Sequence, residues 1–366
     1  MRVCIATGIF PPDKGGPAQF SFSYAAWLVD KGNDVVILSL TDKATEITRQ
    51  DNPKRILHSR SARLPIRFIR TICSLRDISK NHVILANGLF LEILLTTYFC
   101  TMNYVAKVPG DIVWERARNR GETSLSIDDY QGKEKASKRL MRWFFTQSLR
   151  KAKLVIAPSE HMKDLIVRWG IDPEKISLVR NSVDINTFTP NYSAEKKFDL
   201  ITICRLTQWK GVEEIIREAA AKELSVGIVG SGPEEAKLRT LADGLGVNAT
   251  FLGEIQQREL PLLLNQSRVF VLNSTYEGSP HALLEAMSCG AISIARASTG
   301  TVEVIADGIN GFLCGDELSL GASIDRALSE AANRHEISKQ ARATIVDKNN
   351  RDENFAEITS LLRSVL

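Results

Sequence analysis

Residues 200–229 read LITICRLTQWKGVEEIIREAAAKELSVGIV. A short apolar run, Leu200–Cys204, is followed by a segment of helical periodicity, Val212–Lys222, and then by a second apolar run, Ser225–Val229. Short apolar runs that alternate with amphipathic helices are typical of βαβ units, which build parallel sheets. This stretch therefore predicts an α/β fold.

The same alternation continues toward the carboxyl end and is also present in the first half of the chain. After residue 229 the sequence predicts helices at 234–245, 258–266 and 280–289 and strands at 250–252 and 269–272. Before residue 190 it predicts strands at 3–7, 35–40, 83–86, 104–108 and 154–157 and a helix at 18–30. The pattern starts afresh near residue 200, so two doubly wound domains are expected.

The join between the two domains is predicted at residues 181–197, where Asn, Pro and Ser cluster without periodicity. We therefore expect a first Rossmann-like domain at 1–185, a second at 186–345, and a carboxyl-terminal helix within 346–366 that packs back on the first. Ligands of open α/β sheets bind beyond the carboxyl ends of the strands. The loops that follow the strands are therefore the place to look for a site.

Composition and charge agree with a two-domain globular protein. The chain has 366 residues, of which 44% are hydrophobic and 25% charged, so disordered and fibrous classes are excluded. Residues 1–190 carry 29 Lys and Arg against 19 Asp and Glu, a net charge of +10, while the remainder carries a net −6 within a total of +4. The first half is thus the candidate for an anionic partner.

Cysteine spacing and the amino terminus indicate a reducing compartment. The six cysteines have no short paired spacing, which favours neither a disulfide framework nor a zinc cluster. The start, MRVCIATG, leads directly into a strand without the pattern of a secretory signal, and the most apolar stretch, Ile93–Ala106, is shorter than a membrane span. We expect a cytoplasmic protein.

The segment Asn273–Met287 is the strongest candidate for chemistry. Glu277 follows a predicted strand, and Ser279 with Pro280 is a favourable pair for the start of a helix, whose free N–H groups can bind a phosphate. Glu285 lies about 7.5 Å farther along that helix, where its carboxylate can accept both hydroxyls of a ribose. The alternative is that both acids are solvated.

A second candidate, Arg205–Gly211, also lies between a predicted strand and a helix. Arg205 and Lys210 can clamp a diphosphate and neutralise the charge of a leaving pyrophosphate. The alternative is that both are ordinary surface cations. That alternative is weakened because this half of the chain is acidic overall.

Together the two segments resemble the family 4 retaining glycosyltransferases of the GT-B fold, and the resemblance covers most of the chain. The family pattern of two glutamates separated by seven residues is matched by Glu277 and Glu285, and its Arg-Leu-x-x-x-Lys-Gly segment by Arg205–Gly211. Also similar are Phe10–Pro12 with Gly15 and Gly16, Pro158–Glu160, Asn181–Asp184, Gly230–Glu234 and Asn310–Phe312. The order and spacing of these segments together are specific.

The resemblance implies two doubly wound domains facing each other across a cleft and a metal-independent, retaining transfer of a hexose-type sugar. The donor would be a nucleotide diphosphate sugar, UDP- or GDP-linked, which is a substrate, so no cofactor is expected. The acceptor would be a glycan or a lipid-linked molecule in surface polysaccharide or glycolipid biosynthesis. The alternatives are another GT-B sugar-nucleotide enzyme, an epimerase or a phosphorylase, and a non-catalytic sugar-nucleotide-binding subunit.

The resemblance also implies a role for each matching residue. Glu277 would contact the donor sugar or its reacting end, Glu285 the ribose, and Arg205 with Lys210 the diphosphate. The remaining donor-binding residues would surround the nucleotide and its phosphates: Gly15, Gly16, Gly230, Ser279, Pro280 and His281.

The family commonly places a histidine or an acid of the first domain near the reacting carbon. The matching stretch, Lys107–Glu115, lacks histidine, and Asp111 is its best candidate for orienting or deprotonating the acceptor hydroxyl. The alternative is that Asp111 caps the following turn. Glu115 is interpreted as part of the acceptor pocket or of an ion-paired loop.

Two basic segments of the first domain suggest an anionic partner. Residues 49–80 carry nine basic and two acidic residues with interleaved apolar ones, and residues 133–153 combine Lys and Arg with Trp143, Phe144 and Phe145. Such segments can lie on anionic lipid, which would place the protein at the inner face of the cell membrane. The alternative is that they are helices covering the sheet, with solvated cations. No nucleic-acid recognition motif accompanies the charge.

Overall fold

The computed structural model describes residues 1–13, 15–41, 53–329 and 334–366, and its contacts divide the chain into two compact units. Unit 1 comprises Met1–Val179 together with Phe355–Leu366, and unit 2 comprises Arg180–Asn354. Each unit is built on its own parallel sheet.

The described part of unit 1 contains a seven-stranded sheet in which every pair of neighbours is parallel. The strands are β1 (Arg2–Thr7), β2 (Asp34–Thr41), β3 (Lys54–Ser59), β4 (Val83–Asn87), β5 (Tyr104–Lys107), β6 (Leu154–Ala157) and β7 (Ile176–Leu178). Their order is β3-β2-β1-β4-β5-β6-β7. The direction of winding therefore reverses between β1 and β4.

Helices cover this sheet because each right-handed crossover between parallel strands needs one. They are α1 (Gly16–Asp30), α2 (Leu64–Ile78), α3 (Phe90–Thr96), α4 (Ile112–Asn119), α5 (Ile127–Tyr130), α6 (Ala136–Lys151) and α7 (Glu160–Arg168). Helix α3 packs between α2 and α6 on one face of the sheet. These three helices border a pocket in unit 1.

The described part of unit 2 contains a six-stranded parallel sheet. Its strands are β8 (Phe198–Ile203), β9 (Val226–Val229), β10 (Ala249–Gly253), β11 (Ser267–Leu272), β12 (Ile292–Arg296) and β13 (Phe312–Cys314). The order is β10-β9-β8-β11-β12-β13, so the winding reverses between β8 and β11.

Both faces of this second sheet are buried against helices, which is why its strands are nearly continuous apolar runs. The helices are α8 (Val212–Ala221), α9 (Glu235–Leu245), α10 (Leu260–Asn265), α11 (His281–Ser288), α12 (Leu320–Ser329) and α13 (Arg334–Lys348). The last helix, α14 (Arg351–Arg363), begins in unit 2 and packs its later turns in unit 1, where the Phe355 ring lies 5.0 Å from that of Tyr24.

The division of the chain differs from the expected boundary at residue 185. Residues 180–185 belong to unit 2 because they pair with the segment that precedes and begins α14. Val183 forms a bridge with Asn350, and Arg351 lies 3.0 Å from the carboxylate of Asp184. Residues 346–354, expected to belong to the last helix on the first domain, likewise lie in unit 2.

The sequence predicted nine of the thirteen strands in the described residues. The α/β fold with two doubly wound units is confirmed, but β3, β7, β12 and β13 were not predicted. Strand β3 lies inside the basic segment that was interpreted as amphipathic or helical, because a half-exposed edge strand has no continuous apolar run. Residues 49–52 of that segment lie outside the described residues.

Among the described residues, no helix is both long and apolar enough to cross a bilayer.

Candidate functional site

The predicted site residues of unit 2 lie in or just after the loops that follow β8, β9 and β11 at the carboxyl edge of the sheet. The two most charged of them follow β8 and β11, the neighbouring strands between which the winding reverses. Loops diverge at such a reversal and leave a crevice, which is where open α/β sheets bind ligands.

Hydrogen bonds join the loops after β8 and β11. The backbone amide of Thr275 donates to the carbonyl of Trp209 at 3.0 Å, and the side-chain amide of Asn273 donates to the carbonyl of Gly211 at 3.1 Å. Gly211 has a φ of +64°, and a Cβ there would lie 2.5 Å from the Asn273 carbonyl oxygen. Glycine is therefore required for this close approach.

The joined loops bring two predicted residues together. The ammonium of Lys210 lies 2.5 Å from Oε1 of Glu277, and each side chain is only 13% exposed. The same ammonium stacks 4.2 Å from the ring centroid of Trp209, a cation–π contact. Because the pair is largely shielded from water, its charges are screened weakly and each one holds the other in place.

The loop after β12 fixes the backbone of Glu277. The amide of Gly300 and the hydroxyl of Thr299 donate to the Glu277 carbonyl at 2.8 and 3.2 Å. A Cβ at Gly300 would lie 2.4 Å from that oxygen. Gly300 was not predicted from the sequence, since it follows another strand and matches no motif, and only the sheet order makes it a neighbour of Glu277.

Arg205 differs from Lys210 in that it is exposed. Among the residues that the structure describes, its side chain has no hydrogen-bond or ion-pair partner. The backbone beside Arg205 is held by the turn that follows β9, because the amide of Leu206 donates to the carbonyl of Ser231 at 2.9 Å. Gly230 has a φ of +125°, and a Cβ there would lie 1.9 Å from the carbonyl oxygen of Cys204.

Glu285 lies on α11, 7% exposed, and accepts a hydrogen bond from the Gln257 amide at 2.7 Å. Burial raises the pKa of its carboxyl to about 7, an effect that the hydrogen bond from Gln257 only partly offsets. Glu285 is thus not the solvated acid that was the alternative. Gln257 was not predicted, because a lone glutamine before a helix carries no signal.

The start of α11 differs from the expectation. The helix begins at His281 with Pro280 as its N-cap residue, and no side chain caps it. Ser279 is therefore not the cap, and its carbonyl instead accepts from the Asn181 amide at 3.3 Å. The amides of Leu283 and Leu284 already bind the Pro280 carbonyl, so only the first residues of the helix can offer N–H groups to an anion.

In unit 1, Gly15 is the N-cap residue of α1 and has a φ of +136°, which favours glycine. Gly15 and Gly16 are both exposed at that helix start. Their predicted contact with donor phosphates stays a prediction.

Asp111 has a structural role. It is fully buried and caps α4 through Oδ1, which accepts from the amides of Val113 and Trp114 at 2.9 and 3.1 Å. Its Oδ2 accepts from Gln131 at 3.0 Å and from the Arg142 guanidinium at 2.6 Å. Both oxygens are occupied and neither reaches the surface, so the geometry does not support a catalytic role. Of the two alternatives, the structure shows the cap.

The basic segment 133–153 is also partly structural. Arg142 pairs with Asp111 and Glu134, and the buried Lys138 lies 3.2 Å from Glu122. These two cations are therefore unavailable to a membrane. Arg139, Arg150 and Lys151 remain exposed on the same helix.

Two family models match the chain. "Glycosyl transferases group 1" matches residues 185–344, and "Glycosyltransferase Family 4" matches residues 123–187. The two matches meet without a gap and together span residues 123–344 of the 366.

Curated relatives and a solved structure agree with these models. The chain is 29% identical over 215 residues to alpha-maltose-1-phosphate synthase of Mycobacterium tuberculosis, covering 52% of this chain and 56% of that protein. It is 27% identical over 213 residues to the amylovoran biosynthesis glycosyltransferase AmsK of Erwinia amylovora, covering 54% and 50%. The chain therefore spans about half the length of these relatives.

The fold is shared with crystalline Anabaena HepE in complex with UDP and glucose, with a TM-score of 0.80 at 18% identity and full coverage of both chains. At that identity the likeness concerns the fold alone, which is GT-B. With two adjoining family models and this fold, the chain belongs to the family 4 glycosyltransferases.

Proposed function

We propose that this protein is a glycosyltransferase that moves a hexose-type sugar from a nucleotide diphosphate sugar to an acceptor hydroxyl. Unit 2 binds the donor and unit 1 binds the acceptor. The observation that carries the proposal is the Lys210–Glu277 pair at the winding reversal of unit 2, beside the exposed Arg205. A diphosphate can bind the cations of Lys210 and Arg205 at the same time.

In this proposal the donor rearranges the charged pair. The diphosphate takes over Lys210 and Arg205, which neutralise the growing charge of the leaving nucleotide. Glu277 is then released from Lys210 and binds the donor sugar at its reacting end. Glu285 binds the ribose hydroxyls as a carboxylate.

The acceptor and setting are proposed from the relatives and from unit 1. AmsK is a glycosyltransferase of amylovoran biosynthesis, and the similarity to it supports a glycan or lipid-linked acceptor in surface polysaccharide assembly. The exposed side of α2 carries Leu64, Ile69, Arg63, Arg70 and Arg76, a combination that binds anionic lipid. We therefore include a peripheral position at the inner face of the cell membrane.

The proposal is tested first by thermal shift with UDP-glucose, GDP-mannose and ADP-glucose. A donor at about 100 times its Kd stabilises the protein by roughly 2.7 kcal/mol, and we expect UDP- or GDP-sugars to do so. Lys210→Ala and Glu277→Ala are expected to remain folded and to lower transfer by about 10²- to 10³-fold. Lys222→Ala, which breaks a pair with Asp325, is the matched control and keeps wild-type transfer.

The product distinguishes transfer from other reactions of this fold. Mass spectrometry detects an acceptor enlarged by one sugar, whereas an epimerase leaves the donor mass unchanged. The anomeric configuration of the product tests retention, and turnover in EDTA tests metal independence. Wild-type turnover in both Lys210→Ala and Glu277→Ala would contradict the assigned site.

A further inference from the structure

Unit 1 has a pocket of about 760 Å³ at the carboxyl edge of its sheet. Gly8, Asn87 and Pro109, which follow or end β1, β4 and β5, line its floor. The winding of this sheet reverses between β1 and β4, so the pocket occupies the position in unit 1 that the charged pair occupies in unit 2. Its lining comes entirely from unit 1.

The floor offers a buried hydrogen-bond acceptor. Asn87 is 3% exposed, and its Nδ2 donates to the carbonyl of Pro17 and the hydroxyl of Ser21, each at 3.0 Å. The Pro17 contact fixes which end of the amide carries nitrogen, because a carbonyl can only accept. Among the described residues Oδ1 has no donor, and a buried acceptor left unsatisfied is costly, so a hydroxyl that enters the pocket is favoured there.

Carboxylates flank that acceptor. Glu115, in the first turn of α4, lines the pocket, and its Oε1 would lie 2.3 Å from a Cβ at Gly110. Glu92 also lines the pocket and lies 3.8 Å from the Arg67 guanidinium, and burial raises the pKa of its carboxyl. Carboxylate and amide oxygens together suit a head group with several hydroxyls.

The walls have the opposite character. Phe68 of α2 and Phe144 of α6 line the pocket, as does Leu140, one turn before Phe144. Leu64 lies one turn before Phe68 and shares its helix face. Leu64 is 61% exposed and Leu140 57% exposed, so two large aliphatic side chains remain in water beside a pocket with a polar floor.

The apolar character continues outward along α6. Trp143 is 52% exposed, and its ring lies 4.9 Å from that of Phe144. A free glycan would cover these side chains with hydroxyls and gain little. A lipid surface alone would leave the acceptor oxygen of Asn87 unused.

We infer that the acceptor of this pocket is an amphiphile, with a hydroxyl-bearing sugar head on Asn87 and Glu115 and an alkyl chain along Leu64, Phe68, Leu140 and Phe144. This inference rests on the proposed function and selects a lipid-linked acceptor over a free glycan.

The test compares the binding of n-octyl β-D-glucoside, below its micellar concentration, with that of methyl β-D-glucoside, by calorimetric titration of the full chain. Each methylene that leaves water tightens binding about fourfold, so the octyl glucoside is expected to bind more than a hundredfold tighter. Leu64→Ser and Leu140→Ser are expected to lose most of that advantage. Both side chains are exposed, so the fold tolerates serine there.

Two further variants locate the head and control for surface effects. Glu115→Gln is expected to weaken both glucosides by a similar factor, because both carry the same sugar head. Leu262→Ser replaces a leucine that is 59% exposed on α10 of unit 2 and is expected to bind like wild type.

Equal binding of the two glucosides by the wild type would overturn the inference. So would a chain-length advantage that survives intact in both Leu64→Ser and Leu140→Ser. The donor titration of unit 2 is independent of these measurements, so failure here and failure of the proposed function are distinguishable.

Discussion

The two sheets share the order of their first six strands, to which unit 1 adds β7, and they differ in what lies at the point where the winding reverses. In unit 2 the loops after β8 and β11 are joined by hydrogen bonds and enclose the Lys210–Glu277 pair. In unit 1 the corresponding edge, between β1 and β4, is an open pocket of about 760 Å³ with apolar walls. The sheet fixes where a ligand can bind, and the loops decide what kind of ligand.

The difference between the enclosed charged pair of unit 2 and the open pocket of unit 1 has a local cause. In unit 2, Gly211 and Gly300 let neighbouring backbones approach more closely than a Cβ would allow, so the loops close on each other. In unit 1 the pocket is bordered by α2 and α6, which expose Leu64 and Leu140 near their amino-terminal ends. Closed, charged loops suit a diphosphate, whereas open, apolar walls suit an amphiphile.

The two edges also differ in how many partners their acidic side chains bind. Asp111 of unit 1 is fully buried and binds four donors, including a guanidinium. Among the described residues, the carboxylate of Glu277 in unit 2 has one ion-pair partner, the ammonium of Lys210, whose loop also carries the exposed Arg205. A ligand can replace one partner at the surface, but it cannot replace four in the interior.

The largest effect is expected for Asp111→Ala. The change leaves the Arg142 charge buried without its closest partner, so the free energy of unfolding should fall by about 3–5 kcal/mol. Chemical denaturation measures this loss, and donor titration measures whether unit 2 still binds. Asp172→Ala removes the exposed cap of the 3₁₀ turn Pro173–Lys175 and serves as the control, with a loss near 1 kcal/mol.

Unchanged stability in Asp111→Ala together with a large loss of turnover would restore Asp111 as a catalytic residue. The contrast between the two acids would then fail.

The second largest effect is expected for Gly300→Ala. A methyl group 2.4 Å from the Glu277 carbonyl oxygen must displace that loop, and a shift near 1 Å can lower turnover by about 100-fold. Steady-state transfer kinetics measure the loss. Gly244→Ala, in α9 with nothing within 4 Å of the added methyl, is the control and should keep wild-type kinetics. Equal kinetics in the two variants would mean that the placement of Glu277 is unimportant.

The smallest effect is a pH dependence from Glu285. Its pKa is raised to about 7 from 4.5, so it is protonated below neutrality, and donor binding should strengthen as pH rises from 6 to 8. We expect a gain of about tenfold if only the carboxylate binds both ribose hydroxyls, as each pKa unit is worth roughly 1.4 kcal/mol. Calorimetric titration of the donor at several pH values measures it.

The raised pKa of Glu285 has the opposite effect on the free energy of unfolding, which falls as the pH rises. The folded protein retains the Glu285 proton between pH 4.5 and 7 while the unfolded chain releases it, so the contribution of this group to the free energy of unfolding falls across that range. Glu285→Gln should remove both dependences, whereas Glu235→Gln, at an exposed pair with Arg239, should leave them. Persistence of the donor pH profile in Glu285→Gln would assign it to another group.

Much of the fold was readable because apolar periodicity marks elements that are long and buried on both faces, such as β8 and β11. The candidate residues Lys210, Glu277 and Glu285 were predicted because each lies in a contiguous motif. Strand β3 and the boundary at residues 180–185 were not, since an edge strand is half-exposed and the boundary depends on pairing with residues about 170 positions away.

The α/β class, the two-domain organisation, the resemblance to family 4 and the candidate residues around Arg205 and Glu277 could all be inferred from the order of residues along the chain. The contact of Lys210 with Glu277, the support of that loop by Gly300 and the capping role of Asp111, which binds Arg142, are visible only in the folded protein. The physical reason is that a motif records neighbours along the chain, whereas burial and charge pairing depend on the order of strands in the sheet. That order brings together residues separated by 67 positions in one case and by 31 in the other.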